Sequence, residues 1–93
     1  MKITLVGTDR DKLIRMKKRL RCAARGLRID VIIEEDRDDY RALDLGARNG
    51  PIAVARSDDG RLHTLMNGLE QVEVVQQRLV QWFSDERGSK QDG

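Results

Sequence analysis

Asn49-Gly50-Pro51-Ile52-Ala53-Val54-Ala55 holds the sole proline of a 93-residue chain, set at the mouth of an apolar run. Proline fixes its own φ and donates no backbone hydrogen bond, so it suits the first residue of a strand and not a strand interior. Gly50 before it is permissive in backbone conformation. The polar Arg48-Asn49-Gly50 leads in, and Ser57-Asp58-Asp59-Gly60 leads out as a turn. The stretch therefore reads as a short strand opened by a proline.

Downstream, Arg61-Leu62-His63-Thr64-Leu65-Met66 reads as the second strand of a hairpin across that turn, antiparallel to the first. Asn67 and Glu70 have the spacing of a capping box, which predicts a last helix opening at Asn67. Leu69, Val72, Val75, Leu79 and Trp82/Phe83 give that helix its apolar face, with the two aromatics as core and rim. Upstream, Ile3-Thr4-Leu5-Val6 is almost continuously apolar and ends at Gly7, which suits a central strand. Thr8 is the expected cap of a helix running to about Arg25, with Asp11 closing a capping box. Leu13, Met16, Leu20, Ala23/Ala24 and Leu27 form its apolar stripe, and Gly26 is its expected stop. Arg28 to Glu34 alternates on one face and reads as an edge strand. An acidic loop from Glu35 to Asp39 leads into a short helix from about Asp38 to Leu45, with Tyr40, Leu43 and Leu45 as packing residues and Gly46 as its end. The order is β-α-β-α-β-β-α, one α/β domain over 1–86 with a flexible tail over 87–93.

Aromatics make up 3% of the chain, so the core of this single small domain has to be aliphatic. Charged residues reach 37% yet nearly cancel, at +2 net, which gives no general pull toward polyanions or membranes. One cysteine excludes an internal disulfide and a cysteine-based metal cluster. Met1-Lys2 runs directly into a strand pattern, and no apolar stretch approaches the ~18 residues of a membrane span. A cytoplasmic location and no membrane partner are expected.

The element order, Gly50-Pro51 ahead of Ile52-Ala53-Val54, the Asp59-Gly60 turn and Gly68 ahead of the last helix together resemble the thioredoxin fold, glutaredoxin-like members above all. The resemblance covers roughly Met1 to Phe83. It implies a four-stranded mixed sheet in the order 2-1-3-4 and a cis Gly50-Pro51 bond. It also places the family's Cys-x-x-Cys motif near Asp11-Lys12-Leu13-Ile14, where Asp11 and Ile14 stand in the two cysteine positions. Thiol–disulfide exchange needs a thiolate at that helix start, and no cysteine lies between Gly7 and Arg21. The resemblance is thus to a redox-inactive member.

Other candidates have plainer readings. Cys22 reads as a small helix residue at the core edge, and His63 as a solvated strand side chain without metal partners. Asp9 and Asp11 are explained by capping rather than by acid/base chemistry. The charge is unevenly spread: Arg10 through Arg28 carries nine basic residues, and Asp30 through Asp44 seven acids. In the family the residue before the proline offers its backbone to an extended peptide or to glutathione; here that residue is Gly50. The expectation is a non-catalytic binding module for a protein partner, with no cofactor. Its candidate partner-binding residues are Thr8, Asp9, Arg10, Gly50 and Pro51, extended by Lys12, Arg15 and Arg19 on the basic helix. Two alternatives stay open. One is a glutaredoxin- or transferase-like enzyme holding glutathione through Arg10 or Lys12. The other is a nucleic-acid-binding accessory protein using the basic first helix, against which stand the low net charge and the few aromatics for stacking.

Overall fold

Alternating and continuous apolar runs build a four-stranded mixed sheet in the order β2-β1-β3-β4. The computed structural model describes residues 1–48, 50–57 and 59–91, with side chains through Ser84. The elements are β1 (Lys2–Val6), α1 (Arg10–Gly26), β2 (Ile32–Asp36), α2 (Asp39–Asp44), β3 (Ile52–Arg56), β4 (Leu62–Asn67) and α3 (Val72–Gln91). β1 runs parallel to β2 and antiparallel to β3, and β3 is antiparallel to β4. The two apolar strands lie in the middle, as their composition requires: Ile52 to Ala55 is buried on both faces. The register between β3 and β4 slips between Ala53 and Val54, leaving buried Leu65 as the extra residue of a bulge.

Side chains alternate across a sheet, and here each face has its own cover. Ile3, Leu5, Ala53, Ala55 and Met66 point to one face, where Leu13, Met16, Leu20 and Ala23 of α1 and Val75 and Leu79 of α3 close the main core. Val6, Ile52 and Val54 point to the other, where Ala42 packs with Leu45 and Ala47 alongside. A short α2 thus covers one face and two long helices the other.

Several local expectations are corrected. The cap of α1 is Asp9, whose carboxylate accepts from the Lys12 N–H at 3.2 Å; Thr8 lies one residue outside. Gly26 is still helical, and the left-handed residue at the helix end is Arg28, at φ 56°. β2 begins at Ile32 rather than Arg28, because its register is set by β1: Lys2 pairs with Ile32 and Val6 with Asp36. Ile29 and Val31 are half-buried loop residues before it, and of the acids expected in a loop Glu35 and Asp36 are strand residues, while Asp38 caps α2 and Asp39 opens it. The three acids of β2 each find a cation on a different element, Glu34 with Lys2, Glu35 with Lys17 (both 3.1 Å) and Asp36 with Arg41 (3.3 Å).

In α2 the packing residue is Ala42; Tyr40 and Leu43 point outward, 84% and 66% exposed. α3 begins at Val72, and Asn67 ends β4. Half of the expected capping box survives without the helix: Glu70 accepts from the Asn67 N–H at 2.7 Å. The peptide bonds of the described residues are all trans, so the cis Gly50-Pro51 bond is overturned. The backbone of α3 is helical to Gln91, while the side chains of the tail expected over 87–93, and its last two residues altogether, lie outside the described residues.

Candidate functional site

β1 is followed by Gly7, which lies against Pro51 so closely that an added Cβ would sit 2.8 Å from the Pro51 Cβ and 2.9 Å from its Cα. That contact brings the start of α1 next to the start of β3. Pro51 is buried, and its carbonyl accepts from the Gly68 N–H at 2.9 Å. The Thr8 hydroxyl donates to the Asp39 carboxylate at 2.7 Å and so ties the chain before α1 to the first turn of α2. Asn67 fixes the loop between α2 and β3 from below: its amide nitrogen donates to the Gly46 carbonyl at 2.9 Å, and its amide oxygen accepts from the Arg48 N–H at 3.1 Å.

These constraints leave a cleft of about 360 Å³. Thr8, Asp9 and Asp39 form a polar wall, Ala42, Leu43 and Ala47 an apolar one, and Arg48, Gly50 and Pro51 complete it. Lys12, half-buried, lies beside Gly50, its Cδ 3.0 Å from where a Cβ there would stand.

Of the residues singled out from sequence, Thr8, Asp9, Gly50 and Pro51 therefore converge, and Lys12 flanks them. Arg10 is exposed at the start of α1, outside the lining, and Arg15 is exposed on the outward face of that helix. Arg19 is engaged elsewhere, donating to the Glu70 carbonyl at 2.9 Å. Asp39, Ala42, Leu43, Ala47 and Arg48 were missed by sequence reasoning. The available signal was the pair of alanines flanking Leu43 and Leu45, since small residues mark where a helix approaches a sheet closely.

Neither of the two positions at which the resemblance places a cysteine holds a thiol. Asp11 and Ile14 are both exposed, Ile14 at 57%. Cys22 is exposed and not at the core edge, a correction to its sequence reading. It lies about 16 Å along α1 from Asp11, at 1.5 Å per residue. His63 is also corrected: it is half-buried and meets Trp82 edge to face, ring centroids 6.0 Å apart. Trp82 packs on the main core and meets Phe83 at 5.0 Å. Among the described residues no group of three His, Cys, Asp or Glu could hold a metal ion. No helix among them is long and apolar enough to cross a membrane.

At the other end of the sheet a groove of about 610 Å³ runs between Met1, the Leu27–Asp30 segment and Val80, Trp82 and Phe83. Compared with protein-family models, with curated proteins and with solved structures, the chain has no match.

Proposed function

We propose that the chain is a thioredoxin-like binding module without redox chemistry, and that the cleft between α1, α2 and Pro51 takes a segment of another protein. The observation that carries this reading is the convergence of Thr8, Asp9, Gly50 and Pro51 on one cleft with an apolar wall. The sheet order 2-1-3-4 with α2 alone on one face supports the thioredoxin-like assignment. The Gly50-Pro51 bond is trans, so the reading rests on the cleft's side chains rather than on the backbone presentation found in that family.

The cleft suits a peptide by its chemistry. Leu43 is 66% exposed on its wall, and Tyr40 stands one helical turn away at 84%. Such side chains bury on binding, each worth ~1.5–3 kcal/mol if fully covered. Arg48 and the Asp9 and Asp39 carboxylates supply both signs of charge for backbone and side-chain contacts. Nothing in the cleft supplies a nucleophile of the thiol type, which separates this reading from an oxidoreductase.

Selection from a random peptide library, followed by calorimetry, tests it. Peptides recovered on the folded protein should lose at least about tenfold in affinity to Leu43→Arg, which removes an apolar contact and adds a charge without touching the core. Recovered peptides that bind Leu43→Arg and Tyr40→Ser as well as the parent would place recognition elsewhere.

A further inference from the structure

The outward stripe of α1 is a row of cations with no carboxylate partner among the described residues. Arg10, Arg15, Lys18, Arg21 and Arg25 are exposed. The ion pairs among the described residues engage Lys2, Lys17, Arg41, Arg61 and Arg78, and none of the five. Within the helix Asp11 is the sole acid. The row spans about 22 Å at 1.5 Å per residue.

The near-zero net charge hides a separation. α1 lies on the Ile3–Leu5 face of the sheet, and α2 on the opposite, Val6–Ile52 face. Asp38, Asp39 and Asp44 belong to α2 and its cap, and Asp36 pairs with Arg41 of that helix. Asp36, Asp38 and Asp44 therefore lie on the α2 side, while Asp39 meets the N-terminal end of α1 through Thr8. Among the described residues, the acids on the α1 side are Asp9 and Asp11 at the helix start, Glu35, which is paired with Lys17, and, on α3, exposed Glu73; Glu70 there is held by Arg78.

We propose that this stripe binds the phosphate backbone of duplex DNA, without sequence preference. Against an acidic protein surface, exposed ion pairs return only ~0–1 kcal/mol each, and Ile14 is the lone large apolar side chain among the cations to add a dry contact. Against a polyphosphate the same cations release condensed counterions, and that term alone sustains non-specific affinity. Four of the five are arginines, whose planar fork matches phosphate in two-point contact. The three aromatics of the chain, Tyr40, Trp82 and Phe83, all lie off α1, so the stripe offers no stacking platform for a single strand. B-form DNA presents a major groove about 12 Å wide, along whose phosphate edge a helix ridge can lie; the A-form groove is too narrow.

Fluorescence anisotropy with a labelled duplex of about 20 base pairs, across about 25 to 200 mM KCl, reads the effect directly. With five cations the plot of log K against log salt should have a slope of about −4.5, since each neutralised phosphate contributes about −0.9. Arg15→Glu/Lys18→Glu should reduce the slope by about 2 and weaken binding at least about tenfold at low salt. Arg37→Glu/Arg56→Glu, an equal change of net charge off the stripe, should leave slope and affinity near the parent's. Thermal melts confirm folding, and Arg15→Gln/Lys18→Gln replaces the reversal if it does not fold. Absence of binding at the lowest salt overturns the proposal, as does equal weakening by the two reversals. Tighter binding to a polyglutamate peptide, to single-stranded DNA or to duplex RNA overturns it in favour of that partner. The cleft is not involved, so none of these outcomes bears on the proposed peptide site.

Discussion

Gly7 and Gly50 approach the cleft from two sides, and the difference between them is what an added methyl group would meet. At Gly7 (φ 154°) it would strike the Pro51 Cβ at 2.8 Å and backbone Cα at 2.9 Å, neither of which can yield. Gly7→Ala should therefore cost about 2–4 kcal/mol, from overpacking and backbone strain together. At Gly50 (φ 106°) it would meet only the flexible Lys12 side chain, at 3.0 Å. Gly50→Ala should cost about 1–2 kcal/mol, from left-handed backbone alone. Urea denaturation of both variants checks the contrast, and equal losses would mean that the Gly7–Pro51 approach is looser than described. Cys22 supplies a second residue-scale expectation. It is exposed and remote from the start of α1, so insulin reduction should stay at background in both the parent and Cys22→Ser. Turnover that disappears in the variant would restore the cysteine to a catalytic role.

Among elements, the junction of β4 and α3 is held by Glu70. Its carboxylate accepts from the Asn67 N–H and from the Arg78 guanidinium, one contact being 2.8 Å. Arg78 also donates to the Leu65 carbonyl at 3.2 Å, which reaches the bulge. The Arg78 hydrogen bond, opposed by partial burial and aided by the Asn67 N–H, holds the Glu70 carboxyl below its ordinary 4.5. With the folded value lowered, the unfolded chain binds more protons across that interval, so stability rises with pH there. The contribution is complete above about 4.5 and is lost as pH falls through the folded value. Glu70→Gln should cost about 1–3 kcal/mol at pH 7. Its urea midpoint should also fall less than the parent's between about pH 5 and pH 3. Parallel acid limbs would show that the carboxylate is not charge-stabilised. Element types were legible in the sequence, because β1 and β3 are apolar runs and the hairpin turn is explicit, whereas the sheet order was an expectation from the resemblance to the thioredoxin fold. Boundaries were less so. Ile29 and Val31 alternate like a strand, yet pairing with β1 starts at Ile32, and no local pattern encodes a register set by another strand.

Across the whole molecule, the cleft was half legible. Thr8, Asp9, Gly50 and Pro51 were expected together from the resemblance to the thioredoxin fold, which sets a helix start beside a proline-led strand. The α2 wall does not, because a helix of six residues is too short for its periodicity to say which side is buried. Packing decides it, with Ala42 inward and Tyr40 and Leu43 outward. The role proposed for this cleft is to recognise protein segments without thiol chemistry. NMR titration of the labelled protein with a library-selected peptide, and separately with glutathione, tests it. The peptide should shift the amides of Thr8, Asp9, Arg48 and Gly50, and glutathione should leave them in place. Saturable glutathione shifts at those amides, with the peptide's shifts confined to other surfaces, would contradict it.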